Sequence, residues 1–301
     1  MFIHLDLDCF FVSAHRTIDD SLFHIPVAVG GRSNLNIFSS KKEIRQISSN
    51  SGAFVSSILT NEGMKSFKEY FVDENGKIRG IITTSSYEAR AFGVKTAMSV
   101  NEALSLCPHL KMLAPNYPLY HDLSNKLKEL LIKELPLVEQ YSIDEFFGDV
   151  SGYIDEHEIV EFAYYLKKKI FDELKLPISI GISNTKYLSK LITEYAKPDG
   201  IKYVSVDNIA NFTRDIPIKE FPGIGKAFQE KLKGYGIKTL GDIKKNQKLF
   251  YSWQKSGIDL YNRVCGIRDN KLTFEREKKS IGIGRTFDVI FDREELKRRV
   301  M

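Results

Sequence analysis

Cysteine is scarce in this 301-residue chain: Cys9, Cys107 and Cys265 are odd in number, far apart and unaccompanied by a Cys-x-x-Cys or Cys/His cluster. That pattern excludes a disulfide framework and a structural zinc site, and reduced core residues are expected. Long apolar runs are also missing. No stretch approaches the roughly 20 residues that span a bilayer. The apolar N-terminus is interrupted by His4, Asp6 and Asp8 and has no basic start, which argues against a signal peptide. A cytoplasmic protein without membrane contact is the expectation. A Gly-x-Gly stands at Gly223–Gly225, but a third glycine and a preceding strand are lacking, so it is a poor dinucleotide fingerprint. The Gly225-Lys226 pair lacks phosphate-loop spacing.

What remains is a soluble composition with room for a large core. Hydrophobic residues make up 43% and charged residues 28%, and a chain of this length divides into two or more domains. Charge is unevenly placed. Residues 217–301 carry 20 Lys and Arg against 11 Asp and Glu, whereas residues 1–216 carry 24 against 28. A basic C-terminal part beside an acidic N-terminal part points to a polyanion partner.

Residues 2–7 and Pro26–Gly31 read as buried strands on either side of a short helix. From Arg32 to about Gly80 the chain is polar and Ser-rich and reads as an inserted surface element, with a hairpin turn at Asn75-Gly76. Strand Gly80–Thr84 leads into a helix whose Ser85-x-x-Glu88 fits a capping box. Helical patterns follow at 99–106, 119–135, 157–174 and 184–196, and strands at 138–150, 177–183 and 200–204. This mixture, without regular β-α alternation, predicts an α+β sheet domain with helices on one face. Beyond about Ser205 a helical, basic, Gly-punctuated second domain is expected.

Two acidic clusters sit in β-forming surroundings. Asp6 and Asp8 lie two apart, which on a regular strand places both on one face, and only one need be a ligand. Asp144 and Glu145 are adjacent, so both reach one metal only at a turn or bulge. The bland reading of Ser142–Glu145 is a capping box, which the β-rich flanks oppose. Gathered carboxylates suit a hard divalent cation together with substrate phosphates, so metal-dependent phosphoryl or nucleotidyl transfer is the first hypothesis. Tyr87 and Arg90 are neighbours at a helix start that favours anions. Lys186, Lys190 and Lys197 share a helix face away from the core positions Leu188, Leu191, Ile192 and Tyr195. Phe221–Gly225 followed by Lys226 and Ala227 reads as a helix-hairpin-helix, whose backbone N–H groups suit DNA phosphates.

Leu5–Phe11, Ser86–Lys95, Tyr141–Glu145, Gly181–Lys186, Ala196–Gly200 and Pro222–Gly225 together, in order and spacing, closely resemble the Y-family, or translesion, DNA polymerases of DinB/UmuC type. The resemblance covers about residues 1–280. It implies a right-hand polymerase arrangement: a mixed-sheet palm at 1–10 and 116–204, small fingers at 11–115, a helix-hairpin-helix thumb at 205–278 and a little-finger stub at 279–301. On it, Asp6, Asp144, Glu145 and the Leu7 carbonyl hold two Mg²⁺. Phe11 is the steric gate against a 2′-hydroxyl, with Phe10 beside the sugar and base. Thr84, Tyr87, Arg90 and Lys197 bind the triphosphate, and Gly223, Ile224, Gly225 and Lys226 bind DNA. Primer-template DNA and a dNTP are the implied partners, and a sliding clamp is a candidate that no motif identifies. Asp8 carries no ligand role.

Two features depart from the family pattern. The 32–80 segment is longer than its short fingers connection. Ser280–Phe287 resembles the first little-finger strand, yet the sequence stops at Met301, so residues 280–301 are expected to be poorly ordered or docked, and duplex binding to be weak and salt-sensitive. Competing readings are a catalytically weak DNA-binding remnant and a palm-fold nucleotidyl cyclase or transferase. The helix-hairpin-helix and Phe11 argue against the last.

Overall fold

The computed structural model describes residues 1–32, 65–267, 271–274, 292–294 and 297. Ser280–Phe287 and most of the 32–80 segment lie outside these described residues. The main elements run β1 (Phe2–Leu7), α1 (Phe10–Arg16), β2 (Val27–Gly31), α2 (Phe67–Phe71), β3 (Ile81–Ser85), α3 (Tyr87–Ala91), α4 (Val100–Leu106), β4 (Lys111–Leu113), α5 (Tyr117–Glu134), β5 (Leu137–Gln140), β6 (Glu145–Asp149), α6 (Ile159–Leu174), β7 (Ile178–Ser183), α7 (Lys186–Glu194), β8 (Ile201–Tyr203), α8 (Ile209–Thr213), α9 (Lys226–Gly234), α10 (Leu240–Lys245), α11 (Gln247–Ser252) and α12 (Gln254–Cys265). Among the described residues no helix is long and apolar enough to cross a membrane. The three cysteines are free thiols, Cys9 and Cys107 buried and Cys265 half-buried.

Two compact units are present, one of residues 1–23, 117–267 and 271–274, the other of 24–32, 65–116, 292–294 and 297. The first is built on a five-stranded sheet in the order β5-β6-β1-β7-β8. Its pairs are antiparallel except β7 with β8. Every residue of the central β1 is buried, and strand alternation divides them. Ile3, Leu5 and Leu7 join Phe146, Ile178, Ile180 and Ile182 in a core shared with α5 and α6, each buried aliphatic side chain contributing roughly 1.5–3 kcal/mol.

The opposite face, bearing His4 and Asp6, is covered by α7, so helices lie on both faces rather than one. The cause is local. A Cβ at Gly181 would stand 2.2 Å from the Ser189 carbonyl oxygen and 2.4 Å from the Thr193 nitrogen, so only glycine lets the α7 backbone rest on β7. The outer side of α7 supplies Leu188, Leu191 and Ile192 to a second core with Phe221, Ile224, Leu232, Ile237, Leu240 and Phe250.

The second unit holds a three-stranded sheet, β3-β2-β4. Part of the polar 32–80 segment is integral to it. Ser66 and Glu69 form a capping box that opens α2, and Phe71 is fully buried against Ala28, Ile82 and Val100. The turn at Asn75-Gly76 forms, with Gly76 at φ 74°, but it closes only a single antiparallel bridge between Val72 and Ile78. The cap of α3 falls one residue later than the Ser-x-x-Glu spacing suggests. Ser86 accepts from Ala89 N, while Ser85 stays in β3 and donates to the Val94 carbonyl.

Candidate active site

The single strand expected at 138–150 is a hairpin, β5 and β6, and its turn decides the geometry of the acids. Tyr141 N and Ser142 N both donate to the Glu145 carbonyl. Ser142 Oγ donates to Asp144 Oδ1 at 2.5 Å and accepts from Glu145 N at 3.1 Å. Asp144 thus occupies the turn and Glu145 is the first residue of the strand, which removes the usual alternation of adjacent side chains. No helix cap forms there.

Glu145 pairs in register with Asp6 of β1, and Leu7 N donates to the Asp144 carbonyl at 3.0 Å. The three carboxylates are therefore gathered at one end of the sheet. Their electrostatics reflect it. Burial pushes the Asp6 carboxyl up to about 8, Lys197 opposes the shift, and Asp144 and Glu145 add to it. Burial also raises Asp144, against the hydrogen bond from Ser142.

A ladder of polar groups from α7 and the turn after it meets this face. Lys186 pairs with the fully buried Glu139 at 2.5 Å, Lys190 pairs with Glu145 Oε1, Thr193 Oγ1 lies 2.8 Å from His4 Nδ1, and Lys197 pairs with Asp6 at 2.9 Å. Positions 186, 190, 193 and 197 recur every three or four residues, one stripe of a helix. Burial works against charge on Lys197, but Asp6 and Glu194 outweigh it and hold the ammonium above the ordinary lysine range. Burial, then Lys190, Lys197 and Lys186, push His4 well below the usual imidazole range.

Asp8 reaches the same face as Asp6, since Ser179, whose hydroxyl it accepts from, is the register partner of Asp6 on β7. β1 ends at Leu7, Cys9 turns left-handed at φ 48°, and Asp8 Oδ2 accepts from Ser179 Oγ and from Asp199 N, each at 2.8 Å. It ties the turn that carries Lys197 to the sheet. Phe10 is buried, whereas Phe11 is half-exposed and packs on Tyr120 and Tyr117.

In the second unit Thr84 lies in β3, and Tyr87 and Arg90 follow on α3, where they face one another. The Arg90 guanidinium lies 4.7 Å from the Tyr87 ring centroid, and its Nε donates to the Ser85 carbonyl at 3.1 Å. In the helix-hairpin-helix, Phe221 and Ile224 anchor the turn inside while Gly223, Gly225 and Lys226 are exposed. Gly223 has φ 92°, and α9 begins at Lys226. Ile224 N is spent on the Phe221 carbonyl within the turn, so of this set Ile224 acts as an anchor.

Sequence reasoning assigned no role to His4 or Tyr120, and read Ser142 only as the serine of a capping box. His4 carries a readable signal, since it stands two residues before Asp6 on a strand and so shares its face. Ser142 carries one in its Ser-x-x-Glu spacing, since its hydroxyl accepts from Glu145 N, whereas Tyr120 carries none, because its contacts with Phe11 and His15 are made across the fold.

A sheet edged by three carboxylates, with α7 laid over that face and a helix-hairpin-helix beyond, defines an α+β polymerase fold. It is the fold of the Y-family enzymes: the insertion ternary complex of Dbh DNA polymerase superimposes with a TM-score of 0.70 at 23% identity, over 90% of this chain and 69% of that one. DinB from Sulfolobus solfataricus superimposes with a TM-score of 0.65 at 23% identity, over 88% and 66%. Residues 5–194 match the impB/mucB/samB family and residues 206–237 its HHH motif; the chain belongs to this family. DNA polymerase IV of Photorhabdus laumondii is 32% identical over 94% of this chain and 70% of its own length. DNA polymerase IV of Escherichia coli strain K12 is 30% identical over 94% and 70%.

Proposed function

We propose that this chain is a DNA-directed DNA polymerase that adds deoxynucleotides to a primer 3′ end in translesion synthesis, as a DinB-type member of its family. The observation that carries the reading is the register pairing of Asp6 with Glu145, with Asp144 delivered beside them by the β5–β6 turn. Glu145 raises the proton affinity of Asp6 and of Asp144, Lys190 and Lys197 supply the paired cations, and the three carboxylates form a donor set suited to divalent cations.

Asp6, Asp144, Glu145 and the Leu7 carbonyl would hold two Mg²⁺. Such ions supply charge stabilisation for the attacking 3′-oxygen and the departing pyrophosphate. The protein's own groups orient the reactants. Lys197 is assigned to phosphate binding as a point charge, and Thr84, Tyr87 and Arg90 are assigned to triphosphate binding at the anion-favouring start of α3. Phe11 excludes a 2′-hydroxyl and Phe10 supports the sugar and base. Gly223, Gly225 and Lys226 meet DNA phosphates around a turn anchored by Ile224.

The palm would be residues 1–10 and 116–204, the fingers 11–115, the thumb 205–278 and the start of a little finger 279–301. A sliding clamp is a further proposed partner on resemblance alone, to be checked by clamp-stimulated extension of a primed circle.

Primer extension at low salt with Asp6→Ala and Asp144→Ala proteins tests the assignment. Loss of nucleotide addition with the fold intact is expected. Extension by both variants at the parental rate would sink it. Duplex binding by the parent without any addition would instead favour a DNA-binding remnant.

A further inference from the structure

The role given to Glu145 leaves one neighbour unexplained. His4 is fully buried on the central strand, its ring 4.5 Å from that of Phe147. Its Nδ1 is engaged by Thr193 Oγ1 at 2.8 Å, but its Nε2 is buried with no hydrogen-bond partner. A buried polar atom left in this state costs about 1–3 kcal/mol, so the site must use it or lose stability to it. The nearest opposite group is Glu145 Oε1, 3.9 Å away, the same oxygen that receives the Lys190 ammonium.

The tautomer follows from the surroundings. The Thr193 hydroxyl has two close acceptors in reach, the Ser189 carbonyl at 2.9 Å and His4 Nδ1 at 2.8 Å, so the choice rests on Nε2. With the ring proton on Nδ1, the Nε2 lone pair would face the Glu145 carboxylate; with Thr193 donating to Nδ1, the ring presents an N–H to that carboxylate instead.

We propose that His4 is a positioning residue for Glu145: when a divalent cation draws the carboxylate in, the Nε2–H closes the 3.9 Å gap to Oε1 from inside the sheet and so presents the other carboxylate oxygen to the ion. This rests on the metal-site reading above. Two donors converge on one oxygen, and only one of them is permanent. Lys190 approaches from α7 on a long flexible stem, and cations bound by Asp6, Asp144 and Glu145 would repel its ammonium. His4 is uncharged, rigidly packed and held from behind by Thr193. A carboxylate ligand fixed by a second hydrogen bond keeps its orientation as the lysine withdraws, and partners of this kind typically account for 10- to 100-fold in metal affinity or activity.

The test compares His4→Phe, His4→Gln and Thr193→Val with the parent and with Glu145→Gln. The glutamine amide can place a donor near the position of Nε2, and phenylalanine fills the space without one. Mn²⁺ binding is read by electron paramagnetic resonance in the presence of a dNTP, Mg²⁺ half-saturation and dNTP KM by single-nucleotide addition, and folding by thermal melting. His4→Phe is expected to weaken Mn²⁺ binding and raise the Mg²⁺ requirement about tenfold with little change in KM for the dNTP. His4→Gln should recover most of that loss, and Thr193→Val should fall between. If His4→Phe does not fold, His4→Gln and Thr193→Val still decide. Parental Mn²⁺ affinity in Thr193→Val and His4→Phe would make His4 a core filler and overturn the proposal. So would a folded His4→Gln as defective as His4→Phe. Unchanged Mn²⁺ affinity in Glu145→Gln would overturn the metal-site reading itself.

Discussion

The ring of Phe11 lies flat on that of Tyr120, with centroids 4.2 Å apart and an interplanar angle of 13°, and Tyr120 is itself fixed by a 2.8 Å hydrogen bond between its hydroxyl and His15 Nε2. A gate that selects by exclusion works only if the blocking ring cannot yield. Replacing Phe11 with alanine should raise ribonucleotide use on the order of tenfold or more while leaving deoxynucleotide addition largely intact. Tyr120→Phe keeps the stack and loses only the tie to His15, so stability should fall by about 1–3 kcal/mol with a smaller change in sugar selectivity. Parallel dNTP and rNTP kinetics measure both. Unchanged selectivity in Phe11→Ala would remove the gate from this position.

Asp6 makes the metal-free protein pH-sensitive. Its carboxyl ionises near 3.8 in the unfolded chain but is pushed up to about 8 in the fold, chiefly by burial and further by Asp144 and Glu145, against Lys197. Between those values the folded state holds a proton that the unfolded state has released. Stability without metal should therefore decline as pH rises from about 4 to about 8 and level off above. Thermal melts in chelator across this window test it. Asp6→Asn should flatten the decline, and Mg²⁺ added at pH 8 should recover stability in the parent but not in Asp6→Asn.

Gly181 sets the height of α7 above the sheet. Because a Cβ there would meet backbone atoms of Ser189 and Thr193 rather than a movable side chain, Gly181→Ala must lift the helix. The expected cost is about 1–3 kcal/mol, seen as a lower urea midpoint. Nucleotide addition should fall by more than the loss of folded protein explains, since Lys190 and Lys197 shift with the helix. A variant with parental stability and rate would show that α7 has slack the structure does not display.

Local spacing carried much of this architecture. The stripe at Lys186, Lys190 and Lys197 was readable because helix periodicity is fixed by the backbone. The need for a turn at Asp144 followed from the alternation of strand side chains. What spacing could not give were the long-range choices. Asp8 stays on the side of Asp6, but its carboxylate is spent on Ser179 and Asp199, partners more than 170 residues away in the chain. The Ser-x-x-Glu pattern placed the cap of α3 at Ser85, but pairing of β3 with β2 keeps Ser85 in the sheet and Ser86 caps instead. Polarity concealed α2, whose Phe71 is buried by strands distant in sequence.

Gly223 and Lys226 separate two ways in which one turn can serve DNA binding. Lys226 is exposed at the start of α9, where a cation can neutralise a phosphate, so Lys226→Ala should weaken duplex binding uniformly across sequences. It should also reduce the slope of log affinity against log salt by about 1. Gly223 carries no charge but adopts φ 92° with open space where a Cβ would stand. Gly223→Ala therefore meets backbone strain of roughly 1–2 kcal/mol and no collision. Its affinity loss should leave the salt slope untouched, because no ion is displaced or restored. Anisotropy titrations of a fluorescent primer-template at several salt concentrations distinguish the two. If Lys226→Ala changes neither affinity nor slope, the duplex does not pass this turn.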